Sequence, residues 1–264
     1  TGVGKEVAAR TLHHLAADSA GVAPGPFVPV DCIALPANLV ESALFGHERG
    51  AFTGADRARD GAFHEAAGGT LLLDEIGDLD PGLQGKLLRV LESRQFQRVG
   101  STKLVPFRAR VVAATNRDLG AMVDGGAFRH DLFQRLSIFP IELPPLRARG
   151  DDVLLLAESF LAVFASKLGV VPQPFSPAVQ DCLQHYDYPG NVRELKNIIE
   201  RAVLLAESGV IDVAHLPERM LRAPQRPGVG EGNPEAIPID FIPGVDTLDS
   251  VEEKMVRHAL RKTG

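Results

Sequence analysis

Cysteine is scarce in this chain: two in 264 residues, Cys32 and Cys182. They stand far apart and in no metal-ligand spacing. That excludes a disulfide framework and a cysteine-rich zinc site, and it leaves two reduced thiols, as in a cytosolic protein. An excess of positive charge is also missing. Lys and Arg number 28 against 34 Asp and Glu, a formal charge of −6. The chain therefore lacks the basic footprint of a dedicated nucleic-acid binder, and any such contact has to come from a local patch or a further segment. No run of about 18 apolar residues occurs, and no signal-peptide pattern opens the chain. The expectation is a soluble, cytoplasmic protein with no membrane partner. No internal repeat is visible.

What is present is apolar content of 45%, enough for real cores in one large or two ordinary domains. Up to about residue 150, short apolar runs alternate with helical patterns, which predicts an α/β layer fold with a mostly parallel sheet. FVPVD, TLLLDE and ARVVAATN, beginning at Phe27, Thr70 and Ala109, are the clearest strands. They are nearly continuous apolar runs, as strands buried on both faces should be. GLQGKLLRVLESRQ reads as a helix, and FQRVGSTKLVPF as a hairpin turning at Gly100 and Ser101.

After PPLRARGDD the pattern changes. Val153, Leu156, Ala157, Phe160, Leu161, Phe164 and Leu168 recur at helical spacing, the mark of an amphipathic helix. Helices are also expected around 176–185 and 191–207, the second with Asn191 as N-cap. Residues 151–222 thus read as a small helical domain. In 223–246 nine of 24 residues are Pro or Gly, which reads as a linker. An amphipathic segment, TLDSVEEKMVRHALRK, opens a further unit within 247–264.

Several motifs suit phosphate chemistry. TGVGKE, made of Thr1, Gly2, Val3, Gly4, Lys5 and Glu6, matches the end of a P-loop. There, glycines let backbone N–H groups curl around a phosphate, a lysine neutralises charge and a helix N-terminus adds its dipole. Gly-Lys pairs are common in loops, however, and Glu6 stands where a generic P-loop has Ser or Thr. TLLLDEIGDLD sets Asp74 and Glu75 at the carboxyl end of a buried strand. This suits a metal-binding aspartate and a water-polarising glutamate; the plain alternative is a strand followed by an acidic turn. Thr115 and Asn116 end the next long strand, placed either to sense a γ-phosphate or to cap a turn. Arg129 and Arg135 are six residues apart, with Phe128, Leu132 and Leu136 as an apolar stripe. They read either as solvated helix charge or as arginine fingers for a neighbouring subunit's nucleotide. Arg193 opens a helix of the second domain and has the reach of a phosphate ligand.

RGAFTGADRA, from Arg49 to Ala58, sets Phe52 and Thr53 between glycines. A core segment would place its aromatic in a periodic apolar run. Phe52 instead sits at the tip of a flexible stretch, which suits a residue reaching outward to a partner.

In the order TGVGKE, ESALFGHERGAFTGA, GGTLLLDEIGDL, VVAATNRDL, FRHDLFQRL, FPIELPPLRARGDD and YPGNVRELKN, the chain resembles the central AAA+ domain of the sigma-54-dependent transcriptional activators, the bacterial enhancer-binding proteins. The resemblance covers residues 1 to about 222, and its most specific element is GAFTGA. It implies an AAA+ P-loop NTPase fold, a parallel sheet flanked by helices, followed by a small helical lid domain. It also implies ATP hydrolysis with Mg2+ and a ring, usually a hexamer. Lys5 would bind the phosphates, Asp74 the metal and Glu75 the water. Asn116 would be the sensor, Arg129 and Arg135 the trans-acting fingers and Arg193 the lid-side sensor. Gly50, Ala51, Phe52, Thr53, Gly54 and Ala55 would form the loop that contacts sigma-54 and remodels the closed promoter complex, with the turn near Gly100 and Lys103 as a supporting loop. The P-loop ending GKE is usual in that family. The C-terminal segment resembles the first helix of a Fis-like helix-turn-helix that binds enhancer DNA.

The chain departs from the family pattern in three places. It starts inside the P-loop. Asp31 stands where the family usually has Asn, and an ionised Asp31 near Glu75 is expected to repel it or to raise one carboxylate's pKa. Tyr188 stands where Trp is usual. Two other readings remain open at this level: a DNA-binding regulator that keeps the AAA+ scaffold without remodelling, and another kind of AAA+ machine.

Overall fold

A computed structural model of the chain describes residues 2–33, 37–171, 174–206 and 210–221. Thr1, the expected linker and the expected start of a helix-turn-helix lie outside the described residues. In chain order the elements are α1 (Lys5–Ala20), β1 (Phe27–Asp31), α2 (Ala37–Phe45), α3 (Ala62–Glu65), β2 (Thr70–Asp74), α4 (Pro81–Ser93), β3 (Gln95–Phe96), β4 (Val105–Pro106), β5 (Arg110–Ala113), α5 (Leu119–Asp124), α6 (His130–Leu136), α7 (Asp152–Leu168), α8 (Pro177–His185), α9 (Asn191–Leu205) and α10 (Glu218–Leu221). They fall into two compact units, Ala9–Ile141 and Thr1–Ala8 with Glu142–Gly264. Among the described residues no helix is long and apolar enough to cross a membrane.

The first unit is built on a parallel sheet in the order β1-β2-β5. Its central strand β2 is buried from Thr70 to Leu73, which is why it reads as an unbroken apolar run rather than an alternating one. The register sets Asp31 opposite Asp74 and Leu73 opposite Ala113, so the polar ends of the strands finish together. α1 is tied to the sheet through the buried His13, whose Nδ1 lies 2.9 Å from Thr70 Oγ1. Phe63, fully buried, meets the rings of Phe45, Phe96 and Phe107 at 5.0 to 5.6 Å between centroids. Emptying such a site costs about 3–5 kcal/mol. α4 starts where Asp80 accepts the N–H of Gly82 with Pro81 in the first turn, and it stops at Arg94 in the left-handed region. The expected hairpin is present as the antiparallel pair β3 and β4.

In the second unit the apolar face of α7 packs against that of α9. Val153, Leu156, Phe160 and Phe164 are buried with Leu195, Ile198, Ile199 and Ala202. Leu168, expected on the same stripe, is 48% exposed, because α7 ends there at Gly169 in the left-handed region. Asn191 also departs from expectation. The N-cap position of α9 is Gly190, and the buried Asn191 uses its Oδ1 to accept the N–H of Leu146 at 2.9 Å. A distant backbone donor has taken the side chain that local sequence assigned to the cap. Tyr188 is fully buried against Tyr186 and donates its hydroxyl to the Leu183 carbonyl at 2.7 Å.

Candidate functional site

The carboxyl ends of β1, β2 and β5 gather the first group of candidate residues. Glu75, directly after β2, takes a left-handed backbone at φ 52°. Its Oε2 accepts the backbone N–H of Asn116 at 3.1 Å. Asp74 Oδ1 accepts the N–H of Glu75 at 3.0 Å, and the Asp74 carbonyl accepts the N–H of Cys32. Asp31 Oδ1 accepts the N–H of Ile33 at 2.8 Å, a turn-like local bond at the end of β1. Thr115 Oγ1 accepts the N–H of Arg117, whose guanidinium pairs with Asp78.

Sequence reasoning did not single out Cys32 as part of this group. Its thiol is buried and is pushed up to about 12, first by burial and then by the charges of Asp31, Asp74, Asp78 and Glu75. Asp31 and Asp74 are paired in the register of β1 and β2, with Glu75 next along the chain, so the carboxyl ends of two strands present hard oxygen donors side by side. Among the described residues no group of three or more His, Cys, Asp or Glu is placed to hold a metal by itself. The cluster fits a cation of the magnesium type, which takes one or two carboxylates and completes its shell from water and phosphates.

The two candidate finger arginines stand at the two ends of α6, Arg129 just before it and Arg135 in its last turn. Arg129 occupies its N-cap position, and its backbone N–H donates to the buried Gln84 of α4 at 2.9 Å. Its exposed guanidinium holds Asp131 in a two-pronged pair at 3.0 and 2.7 Å. That hydrogen bond keeps the Asp131 carboxyl below its ordinary range and raises Arg129. Arg135, also exposed, donates to the Leu91 carbonyl at 3.2 Å. Phe128 and Leu132 are buried beneath them and Leu136 is half-buried, so the apolar stripe anchors both arginines to the sheet unit.

The segment containing Gly50, Ala51, Phe52, Thr53, Gly54 and Ala55 is a loop closed at its base. His47 and Arg59 exchange two backbone hydrogen bonds, each 2.9 Å. The loop also closes on itself, from Gly50 N–H to the Ala55 carbonyl at 2.8 Å. Gly50 and Gly54 have φ of 78° and 96°, and a Cβ would meet nothing at either. Backbone conformation, rather than space, calls for glycine there. Thr53 and Gly54 are exposed and Ala55 is buried. Phe52 corrects the expectation of an outward-reaching aromatic. It is half-buried, with its ring 5.0 Å from that of His47, and His47 Nδ1 lies 2.7 Å from Ser42 Oγ.

The hairpin turn supports this loop directly. Val99 donates to the Gly46 carbonyl at 2.9 Å and its own carbonyl accepts from Glu48 at 3.0 Å. A Cβ on Gly100 would lie 2.9 Å from the Ala51 Cβ. Arg98, which the motifs did not point to, pairs with Glu48 at 3.3 Å and with Asp60, one on each side of the loop.

Gly2, Val3, Gly4, Lys5, Glu6 and Arg193 belong to the second unit. Gly2 and Gly4 lie in the left-handed region, at φ 72° and 97°. The Gly2 carbonyl accepts the N–H of Val192 at 3.0 Å, and a Cβ on Gly2 would stand 3.1 Å from the Cβ of Arg193. Lys5 begins α1 and is half-buried, whereas Glu6 and Arg193 are exposed. The backbone thus brings the glycine segment and the start of α9 together.

Comparison with known proteins agrees in family. Residues 1–142 match the Sigma-54 interaction domain, and residues 147–231 match an AAA+ ATPase lid domain. The nitrogen fixation protein VnfA of Azotobacter vinelandii is 46% identical over 262 residues, 99% of this chain and 48% of that protein. The transcriptional regulatory protein ZraR of Escherichia coli K12 is 45% identical over 264 residues, 100% of this chain and 56% of that protein. The chain therefore spans about half the length of these relatives. The crystal structure of NtrX from Brucella abortus in complex with ADP superposes with a TM-score of 0.74 at 36% identity, over 86% of this chain and 51% of that one. The same protein in complex with ATP gives a TM-score of 0.74 at 37% identity, over 83% of this chain and 50% of that one.

Proposed function

This chain belongs to the sigma-54-dependent transcriptional activators, a family of AAA+ ATPases, and on that footing we propose that it hydrolyses ATP to convert the closed sigma-54 polymerase complex into the open one. The observation that carries the reading is the intact GAFTGA loop, held on a closed base with Thr53 and Gly54 exposed and braced by the hairpin through Arg98.

In this reading Gly2, Val3 and Gly4 turn backbone donors toward the phosphates, and Lys5 and Arg193 neutralise their charge. Asp74 would hold the magnesium ion that accompanies ATP, which would supply charge neutralisation at the phosphates. Glu75 orients and deprotonates the attacking water, and Asn116, hydrogen-bonded to it, reports the state of that carboxylate to β5. Arg129 and Arg135 serve the nucleotide of a neighbouring subunit in a hexameric ring, so turnover requires self-assembly. Thr53 makes the contact with sigma-54, and Phe52, packed on His47, sets the angle of the loop. The protein works in the cytoplasm and reaches enhancer DNA through a C-terminal helix-turn-helix.

The test is ATP-dependent open-complex formation by sigma-54 polymerase, with the full-length protein and its Thr53→Ala variant. Promoter opening by the parent, and ATP turnover without opening by the variant, is the expected result. If the parent turns over ATP and opens no promoter, sigma-54 remodelling is the wrong assignment.

A further inference from the structure

Arg149 takes no part in the chemistry assigned to Lys5 and Arg193, yet it reaches the same glycine segment. It follows a single 3-10 turn, Leu146–Ala148, and is half-buried. Its Nη2 donates to the Val3 carbonyl at 2.7 Å, and its Nε donates to the Pro144 carbonyl at 3.0 Å. The carbonyls on either side of Val3 are engaged as well. Gly2 accepts from the N–H of Val192 and Gly4 from the N–H of Ala8, each at 3.0 Å.

A trans peptide is planar, so its C=O and the following N–H point in opposite directions. Fixing the carbonyls of Gly2 and Val3 therefore turns the N–H groups of Val3 and Gly4 away from Val192 and Arg149. Left-handed backbone at Gly2 and Gly4, with Val3 between them outside that region, is the alternation that gathers N–H groups into an anion-binding concavity. A peptide free to rotate can instead offer its carbonyl, the negative end of its dipole, to a phosphate. The packing leaves little freedom on the Gly2 side, where a Cβ would stand 2.6 Å from the Gly190 carbonyl. Gly190 is held in turn through its N–H by Glu194 Oε2 at 2.8 Å. On the Val3 side the carbonyl is held by the side chain of Arg149.

We infer that Arg149 is a positioning residue for the phosphates of ATP: its guanidinium holds the peptide between Val3 and Gly4 so that the N–H of Gly4, and not the carbonyl of Val3, faces the nucleotide. The inference rests on the reading of residues 1–6 as a phosphate-binding segment. A charged donor suits the task, since a charge-assisted bond is stronger than a neutral one and polarises the peptide it engages. The guanidinium fork also serves Pro144 with a second N–H, which an ammonium on a flexible stem reproduces less well.

The test is titration of a fluorescent ATP analogue into the full-length protein and its Arg149→Ala, Arg149→Gln and Arg149→Lys variants. Thermal melts with and without ADP accompany each titration. Loss of a charge-assisted bond is expected to raise Kd about tenfold or more in the Ala and Gln variants. KM should rise more than kcat falls, and the ADP-induced rise in Tm should shrink while the nucleotide-free Tm moves little. Arg149→Lys should bind more tightly than either. If Arg149→Ala does not fold, Arg149→Gln, which keeps a donor and most of the length, decides. Parent-like Kd in the folded neutral variants overturns the inference while the phosphate-binding reading stands. Absence of nucleotide binding in the parent overturns both.

Discussion

The backbone N–H of Asn116 donates to Oε2 of Glu75 at 3.1 Å, joining the end of β5 to the left-handed turn that follows β2. The bond uses main chain on one side and a carboxylate on the other. A substitution at Glu75 can therefore separate hydrogen bonding from charge. Glu75→Gln keeps an oxygen that accepts from Asn116 and removes the carboxylate proposed as the base. Turnover should fall by about a hundredfold or more while nucleotide affinity stays at the parent value, read by phosphate release and by analogue titration. Turnover within about tenfold of the parent would remove Glu75 from the role of base.

Arg98 holds both sides of the GAFTGA loop through Glu48 and Asp60. All three side chains are partly exposed, so Arg98→Ala should cost no more than about 1 kcal/mol of global stability. Its effect should be local. Amide exchange in residues 47–60 should quicken, because the loop keeps its backbone closure but loses its brace to the hairpin. Exchange in that segment at the parent rate would count against the brace.

His13 carries the pH dependence of the α1 contact with β2. Burial, then the neighbouring His14, lowers its pKa from 6.5, and Arg10 and Arg110 act in the same direction, against a backbone hydrogen bond with Gly25 that raises it. The folded protein thus binds this proton less readily than the unfolded chain. The contribution is fully present above 6.5, and stability is lost as pH falls below it, where the unfolded state takes up the proton first. A His13→Gln variant should melt with a flatter dependence on pH between about 7 and 5 than the parent. Identical slopes would show that His13 does not carry the effect.

Tyr188→Phe tests the lid. The hydroxyl donates to the Leu183 carbonyl at 2.7 Å in a site closed to solvent. Burial, with the charge of Glu194 behind it, holds the phenol far above its ordinary pKa, so it stays neutral and donates at any working pH. Removing it leaves a buried acceptor unpaired and should cost about 1–3 kcal/mol in denaturant unfolding. An unchanged unfolding midpoint would mean that the Leu183 carbonyl finds another donor.

The elements were legible to different degrees. β2 declared itself because burial on both faces demands consecutive apolar residues, here the three leucines Leu71, Leu72 and Leu73, and α7 because one buried stripe demands helical spacing. α4 was read from Gly82, and the structure starts it one residue earlier, at Pro81 with Asp80 as its cap. Where the sequence misled, a partner distant in the chain had intervened. Asn191 serves Leu146 rather than its own helix, and Phe52 folds onto His47. Arg149 and Cys32 carried no local pattern, since the partners of Arg149 include Val3, 146 positions away, and the buried Cys32 donates its N–H to the carbonyl of Asp74 on the neighbouring strand.

By itself, then, the amino-acid sequence determined the α/β class, the strands, the principal helices and the family. Each follows from the burial of apolar side chains at a period that a short window contains, or from a contiguous motif. The tertiary structure alone decided which polar groups meet: Asn116 with Glu75, Arg98 with Glu48 and Asp60, Arg149 with Val3. A hydrogen bond is made only within about 3 Å and over a narrow angle. Those partners are brought into range by the register of strands and the packing of helices, which no local window of sequence encodes.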